Sequence, residues 1–136
     1  MAPGGSAVDV RVHDRGLCES ERVGEGTRVW AFAHVMAGAV VGRDCNIGGG
    51  AFVESGAVLG DRVTVKNNVL VWDRVTVEDD VFLGPAVVFT NDLRPRAHVA
   101  RSSQTAVYAD WPQFPPLTLS DRDCRRVCDA RHPSSR

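Results

Sequence analysis

Apolar residues recur at every sixth position between Val23 and Phe89. The series is Val23, Val29, Val35, Val41, Ile47, Val53, Leu59, Val65, Val71, Val77, Leu83 and Phe89, held in one register. Four residues after each of the first eleven stands a small or β-branched residue: Thr27, Ala33, Ala39, Cys45, Ala51, Ala57, Val63, Val69, Val75, Val81 and Val87. Polar residues and Gly fill the positions between. An amphipathic helix needs apolar spacing near 3.6. A sandwich alternates with period two and turns every 8–12 residues. Hexads in unbroken register fit neither, and a fixed period of this kind marks a solenoid.

Each hexad therefore predicts a short strand followed by a corner, and three hexads predict a triangular coil of 18 residues. The first and fifth positions point inward and stack on their equivalents one coil away, about 4.8 Å along the axis. Val and Ile suit the strands because branching stiffens χ1. Gly follows the apolar position at Val23-Gly24, Val41-Gly42, Ile47-Gly48, Leu59-Gly60 and Leu83-Gly84, and is expected there because corners call for positive φ. The fold class is thus all-β: a parallel β-helix of about four regular coils, Val23–Val40, Val41–Val58, Leu59–Thr76 and Val77–Arg94.

Three segments follow from where the pattern holds. Residues 1–22 form an N-terminal segment and an imperfect capping coil, 23–94 the β-helix, and 95–136 a loop and an irregular Pro/Arg-rich tail. The tail holds five of the seven prolines, and Trp111-Pro112-Gln113-Phe114-Pro115-Pro116 suits neither helix nor inner strand. No hexads are found beyond Ala100. No apolar run approaches the roughly 20 residues of a membrane span, and the N-terminus lacks the regions of a signal peptide. The expectation is a cytoplasmic protein without a membrane partner. The net charge of −1 gives no ground for nucleic-acid binding.

Laid on an 18-residue coil, the polar and aromatic residues gather late in the chain. One corner column is Met36, Glu54, Trp72 and Thr90; its neighbour is Ala37, Ser55, Asp73 and Asn91. A second corner carries Lys66, Asn67 and Asn68, and a third Glu78, Asp79 and Asp80. An outward face stacks His34, Phe52, Leu70 and Val88. Asn91 offers an amide that donates and accepts and so can orient an amine; as plain structure it is a turn residue. Asp73 lies below it and can accept a proton or bind a cation. Trp72, on an outward corner, can stack on a flat ring or sugar, or serve a subunit interface. The acidic corner reads as a solvated face and Asn67-Asn68 as a polar corner satisfying its own backbone. His34 can act as a base, though a surface or interface His is commoner. Cys124, Cys128 and His132 lack a fourth zinc ligand. Gly48-Gly49-Gly50 precedes no helix, so it is not a phosphate loop.

Four segments taken together resemble a known family. They are Thr27-Arg28-Val29-Trp30, Val65-Lys66-Asn67-Asn68-Val69, Glu78-Asp79-Asp80-Val81-Phe82-Leu83-Gly84-Pro85 and Phe89-Thr90-Asn91-Asp92. They are similar to the hexapeptide-repeat acyltransferases that N-acetylate UDP- or dTDP-linked amino sugars for bacterial surface polysaccharides. The resemblance covers about residues 8–100. It implies a left-handed β-helix, a homotrimer with active sites between subunits, acetyl-CoA as co-substrate and no metal. It also implies that Asn91 is the catalytic Asn contacting the sugar amine. Lys66, Asn67, Asn68, Trp72, Asp73, Glu78, Asp80 and Thr90 fall in segments bordering the nucleotide-sugar site and are carried over as substrate-binding. In that chemistry no strong base is needed, and the leaving CoA sulfur takes the proton.

The family continues after the loop with further hexads that form much of the CoA tunnel and the trimer. Residues 101–136 lack them. That departure keeps a second reading open, a non-catalytic, truncated or frameshifted β-helix. A zinc-holding hexapeptide protein ranks last, since His13, His34, His98 and His132 have no stacked spacing.

Overall fold

The computed structural model describes residues 9–89, 97 and 118–120. Its strands are all two residues long: β1 (Arg11–Val12), β2 (Leu17–Cys18), β3 (Arg28–Val29), β4 (His34–Val35), β5 (Val40–Val41), β6 (Asn46–Ile47), β7 (Phe52–Val53), β8 (Val58–Leu59), β9 (Thr64–Val65), β10 (Leu70–Val71), β11 (Thr76–Val77), β12 (Phe82–Leu83) and β13 (Thr118–Leu119). They form three parallel sheets, ordered β1-β3-β6-β9-β12, β2-β4-β7-β10 and β5-β8-β11-β13. Bridges from Leu70 to Val88 and from Val23 to Val41 extend the second and third sheets. This is the β-helix expected from the hexads.

The sheets exist because each coil satisfies its backbone on the next. Arg28, His34, Val40, Asn46 and Phe52 donate their N–H groups to Cys45, Ala51, Ala57, Val63 and Val69, at 2.9–3.0 Å. The second residue of each strand from β3 to β12 is buried, as are the fifth-position residues from Thr27 to Val81. Val23 and Val87, at the two ends of the series, are partly buried and pack on that core. Burying a Val side chain contributes about 1.5 kcal/mol or more, and here every such contribution depends on the coil above or below.

The single polar member of the inner series is Thr27, which is fully buried. Most fifth-position N–H groups close the corner on the second-position carbonyl, as Ala51 does on Gly48 at 3.1 Å. In the coil after Thr27, its hydroxyl enters that corner instead. It donates to the Gly42 carbonyl at 2.8 Å and accepts the Cys45 N–H at 3.0 Å. Cys45 repeats the insertion one coil on, its thiol donating to the Gly60 carbonyl at 3.1 Å. Burial pushes the Cys45 thiol up from its ordinary value, so it stays protonated and able to donate.

Two expectations about the coil are corrected. The first concerns where φ is positive. Every fourth position from Gly26 to Ala86 has positive φ, including the non-glycines Phe32, Asp44, Arg62, Asn68, Arg74, Asp80 and Ala86. Gly24, Gly42, Gly48 and Gly60, at the second position, serve close approach instead, whereas a Cβ on Gly84 would meet nothing nearer than 3.9 Å. A Cβ on Gly24 would lie 2.6 Å from the Arg43 nitrogen, and one on Gly48 would lie 2.9 Å from the Asn67 nitrogen. The corner stacks its backbone on the next coil at that point, and no side chain fits between.

The second concerns the tail, where no solenoid strand was expected. Thr118 pairs with Thr76 and Leu119 with Val77, so β13 takes the next place in the third sheet. Four residues turn the corner between the second and third sheets at 36–39, 54–57 and 72–75; here residues 90–117 intervene. The Thr-aliphatic pair repeats the type of Thr64–Val65 and Thr76–Val77, but two residues after a proline-rich stretch are too few to reveal a period. At the other end the capping coil pairs at an offset of 17, as Leu17 with His34, and returns to 18 by Val23–Val41. The corner after Cys18 is therefore one residue short, which explains the faint pattern there.

The two kinds of corner position respond oppositely to substitution. Ala86→Gly relieves a left-handed residue with no side-chain contact to lose and should raise the unfolding free energy by about 1 kcal/mol. Gly48→Ala forces a Cβ against backbone and should lower it by roughly 2 kcal/mol. Equilibrium denaturation of the two variants checks both signs.

Candidate functional site

The predicted site residues lie on three different edges of the prism. Trp72 and Asp73 turn the edge from the second sheet to the third. Lys66, Asn67 and Asn68 turn the edge from the first to the second. Glu78 and Asp80 turn the edge from the third to the first. One chain therefore does not gather them into one pocket. Thr90 and Asn91 lie outside the described residues, as do Cys124, Cys128 and His132.

The edge that carries Trp72 is the most constructed. Trp72 is not an exposed ring: it is partly buried and packs on the core. Its indole N–H donates to the Phe89 carbonyl at 2.9 Å. Phe89 is itself buried and is the residue from which the chain departs into the long segment between second and third sheets. Trp72 thus ties down the root of the segment that begins with Thr90 and Asn91. A buried indole normally finds a partner for its N–H, and a backbone carbonyl at an interrupted corner is available for one.

Beside it, the Asp73 N–H donates to Glu54 Oε2 at 2.7 Å. The Asp73 carboxylate rests against Gly56, at the place a Cβ would occupy, and Gly56 has positive φ. Arg74 Nε stands 3.9 Å from Asp73 Oδ2. The carboxylate is therefore located by the preceding coil and faces a cation on its own coil. Above this edge, on the second sheet's outer face, aromatic rings form a column. Phe52 meets Trp72 at 6.0 Å between centroids and His34 edge-on at 5.4 Å. His34 Nε2 is 2.7 Å from Glu19 Oε2, a contact hidden in the sequence by the one-residue shift of the capping coil.

The other two corners are more structural. Asn68 has positive φ, its N–H donates to the Gly49 carbonyl at 3.2 Å, and the Asn67 carbonyl accepts from Ala86 at 3.0 Å. At the acidic corner, Asp79 Oδ1 accepts the Asp61 N–H at 2.7 Å and Asp61 Oδ1 accepts the Arg43 N–H at 2.8 Å. Arg62 donates to both oxygens of Asp80, at 2.6 and 3.1 Å. That two-point contact holds the Asp80 carboxyl below the usual carboxylate range and the Arg62 guanidinium above its own. Glu78 is exposed. Among the described residues no cluster of three or more His, Cys, Asp or Glu is placed to hold a metal ion, and no helix is long and apolar enough to cross a membrane.

Comparison with known proteins agrees with the fold. The family described as bacterial transferase hexapeptide (six repeats) matches residues 22–55, a segment within the hexads that build the coils. Within the curated proteins, a 36-residue stretch is 47% identical to the dTDP-3-amino-3,6-dideoxy-alpha-D-galactopyranose 3-N-acetyltransferase of Aneurinibacillus thermoaerophilus. That match covers 26% of this chain and 19% of the relative.

Two substitutions probe these corners. Trp72→Phe keeps the packing and deletes the bond to Phe89. Chemical denaturation should show a loss of about 1 kcal/mol. At the acidic corner the contribution of Asp80 is complete above the ordinary Asp value of about 3.9 and is lost as pH falls through the lowered folded value. Arg62→Gln should return the Asp80 titration, followed by carboxyl NMR, toward that ordinary value.

Proposed function

We propose that this protein is an N-acetyltransferase that moves acetyl from acetyl-CoA to the amine of a UDP- or dTDP-linked amino sugar in bacterial surface polysaccharide synthesis. The observation that carries the reading is the local identity to the dTDP-amino-sugar N-acetyltransferase within a matching hexapeptide repeat. Asn91 is the residue proposed to hold the sugar amine. Trp72 acts one step removed, by fixing the backbone that leads to it, and Asp73 supplies a located carboxylate on the same edge. Lys66, Asn67, Asn68, Glu78, Asp80 and Thr90 complete the proposed substrate-binding set. Of these, Asp80 is already engaged by Arg62, so its role is to hold the corner that presents Glu78.

A homotrimer belongs to the same proposal. The proposed residues occupy three edges, and only neighbouring copies can set different edges beside one another. The second sheet offers the most apolar outer column for such contact. Leu17, Leu70 and Val88 are exposed there, with His34 and Phe52 between. Acetyl-CoA enters as co-substrate, and no metal is part of the scheme. The amine attacks the thioester carbonyl, the C–S bond breaks, and the departing thiolate takes the proton released by nitrogen. Binding and alignment supply the acceleration.

Release of free CoA thiol, followed with acetyl-CoA and dTDP- or UDP-amino sugars, tests the reading. The expected result is sugar-dependent release that Asn91→Ala reduces by about 100-fold. Sugar-independent release, or none at high protein concentration, would refute it.

A further inference from the structure

A groove of about 310 Å³ opens at the start of the solenoid, lined by Arg11, Val12, His13, Arg28, Val29 and Trp30. None of these residues belongs to the set proposed for acetyl transfer. Arg11 and Arg28 are register partners on the outer side of the first sheet, about one strand spacing of 4.8 Å apart. Like charges opposite one another destabilise a sheet. Arg11 is relieved by Asp9 at 3.3 Å, in a well-exposed pair that contributes little. Among the described residues no carboxylate pairs with Arg28.

The aromatic wall of the groove is held in place. The Trp30 indole N–H donates to Asn46 Oδ1 at 2.8 Å, and Asn46 is the register partner of Arg28 one coil on. The ring is therefore drawn from its corner back over the first sheet, beside the arginine column, while 47% of the residue stays exposed. His13 contributes a donor. Its Nδ1 accepts the Arg15 N–H at 3.1 Å, so the neutral ring carries its proton on Nε2. Val29 and Val12 supply the apolar lining.

A flat ring surface, two guanidinium groups and an imidazole N–H within one small groove match a planar ring bearing a phosphate. Guanidinium forks grip phosphate oxygens in pairs, indole faces stack on bases without regard to sequence, and the volume is at the lower end for small-ligand sites. We infer that this groove binds a phosphorylated nucleoside, with the base on Trp30 and the phosphate between Arg28 and Arg11. The inference goes beyond acetyl transfer and does not depend on it. The same chemistry is offered by a free nucleotide and by the nucleotide half of a nucleotide-linked sugar.

Isothermal titration of the full chain, without any acyl donor, tests the site. The probes are UMP, dTMP, AMP, UDP-N-acetylglucosamine, uridine and inorganic phosphate. The expected result is saturable binding of at least one monophosphate, with uridine and phosphate each weaker. Arg28→Gln and Trp30→Leu, both exposed positions, should each weaken it by roughly 10-fold or more. Displacement of the monophosphate by UDP-N-acetylglucosamine assigns the site to nucleotide sugars; binding of the monophosphates alone assigns it to free nucleotides. No saturable heat at millimolar ligand, or binding unchanged by both substitutions, would overturn the inference. Because the readout is binding, it survives or fails independently of thiol release.

Discussion

An inward apolar side chain in this coil has one place to go, which is onto its own equivalent a full coil away. The prism is too narrow for anything else. That stacking demands a constant coil length, and constant length lets each strand donate its N–H groups to the next coil without a break. Thr27 shows how strict the demand is. A hydroxyl is admitted to the interior because it fits inside a corner and takes over both polar groups there. Cys45, directly beneath it, does the same with a thiol.

The faces being committed to stacking, variety is left to the corners. Each corner from Gly26 to Ala86 holds one left-handed residue, and at Gly24, Gly42, Gly48 and Gly60 the second position has no room for a side chain. In other corners that second position carries a side chain, and Trp72, Lys66 and Glu78 are found there. Two corners change length: the one after Cys18 is a residue short, and after Phe89 residues 90–117 intervene before β13. Both flanks of that insertion are held, by Trp72 on the Phe89 carbonyl and by β13 in register with β11, and the closure entropy of an insertion grows only slowly with its length.

The repeat itself was fully legible, because the inner positions obey a single constraint repeated twelve times. Corner detail was much less so. Gly after the apolar residue was read as a φ requirement, whereas the structure places positive φ two positions later and uses Gly48 for clearance. Periodicity reports which residues are alike, not which backbone angle they share. Trp72 was placed on the outward side by its column. It is half-buried there, against Phe52 and with its N–H on the Phe89 carbonyl, a circumstance no column reveals. The groove at Arg28 and Trp30 was missed as well. The two arginines become neighbours at an offset of 17, and an 18-residue coil does not pair them. Asn91 is a candidate from its corner column and amide chemistry as well as from its motif, and its position lies outside the described residues.

The functional account joins a repeat that supports the scaffold to a short stretch of identity that supports the chemistry. The acetyl group's destination separates it most sharply from a non-catalytic β-helix. Mass spectrometry and NMR of a dTDP-linked 3-amino sugar, incubated with acetyl-CoA and the full chain, measure that destination directly. The account predicts a product acetylated on the sugar nitrogen, with one CoA thiol released per amide formed. Recovery of the unmodified amino sugar with intact acetyl-CoA, or acetyl placed on a hydroxyl, would contradict it.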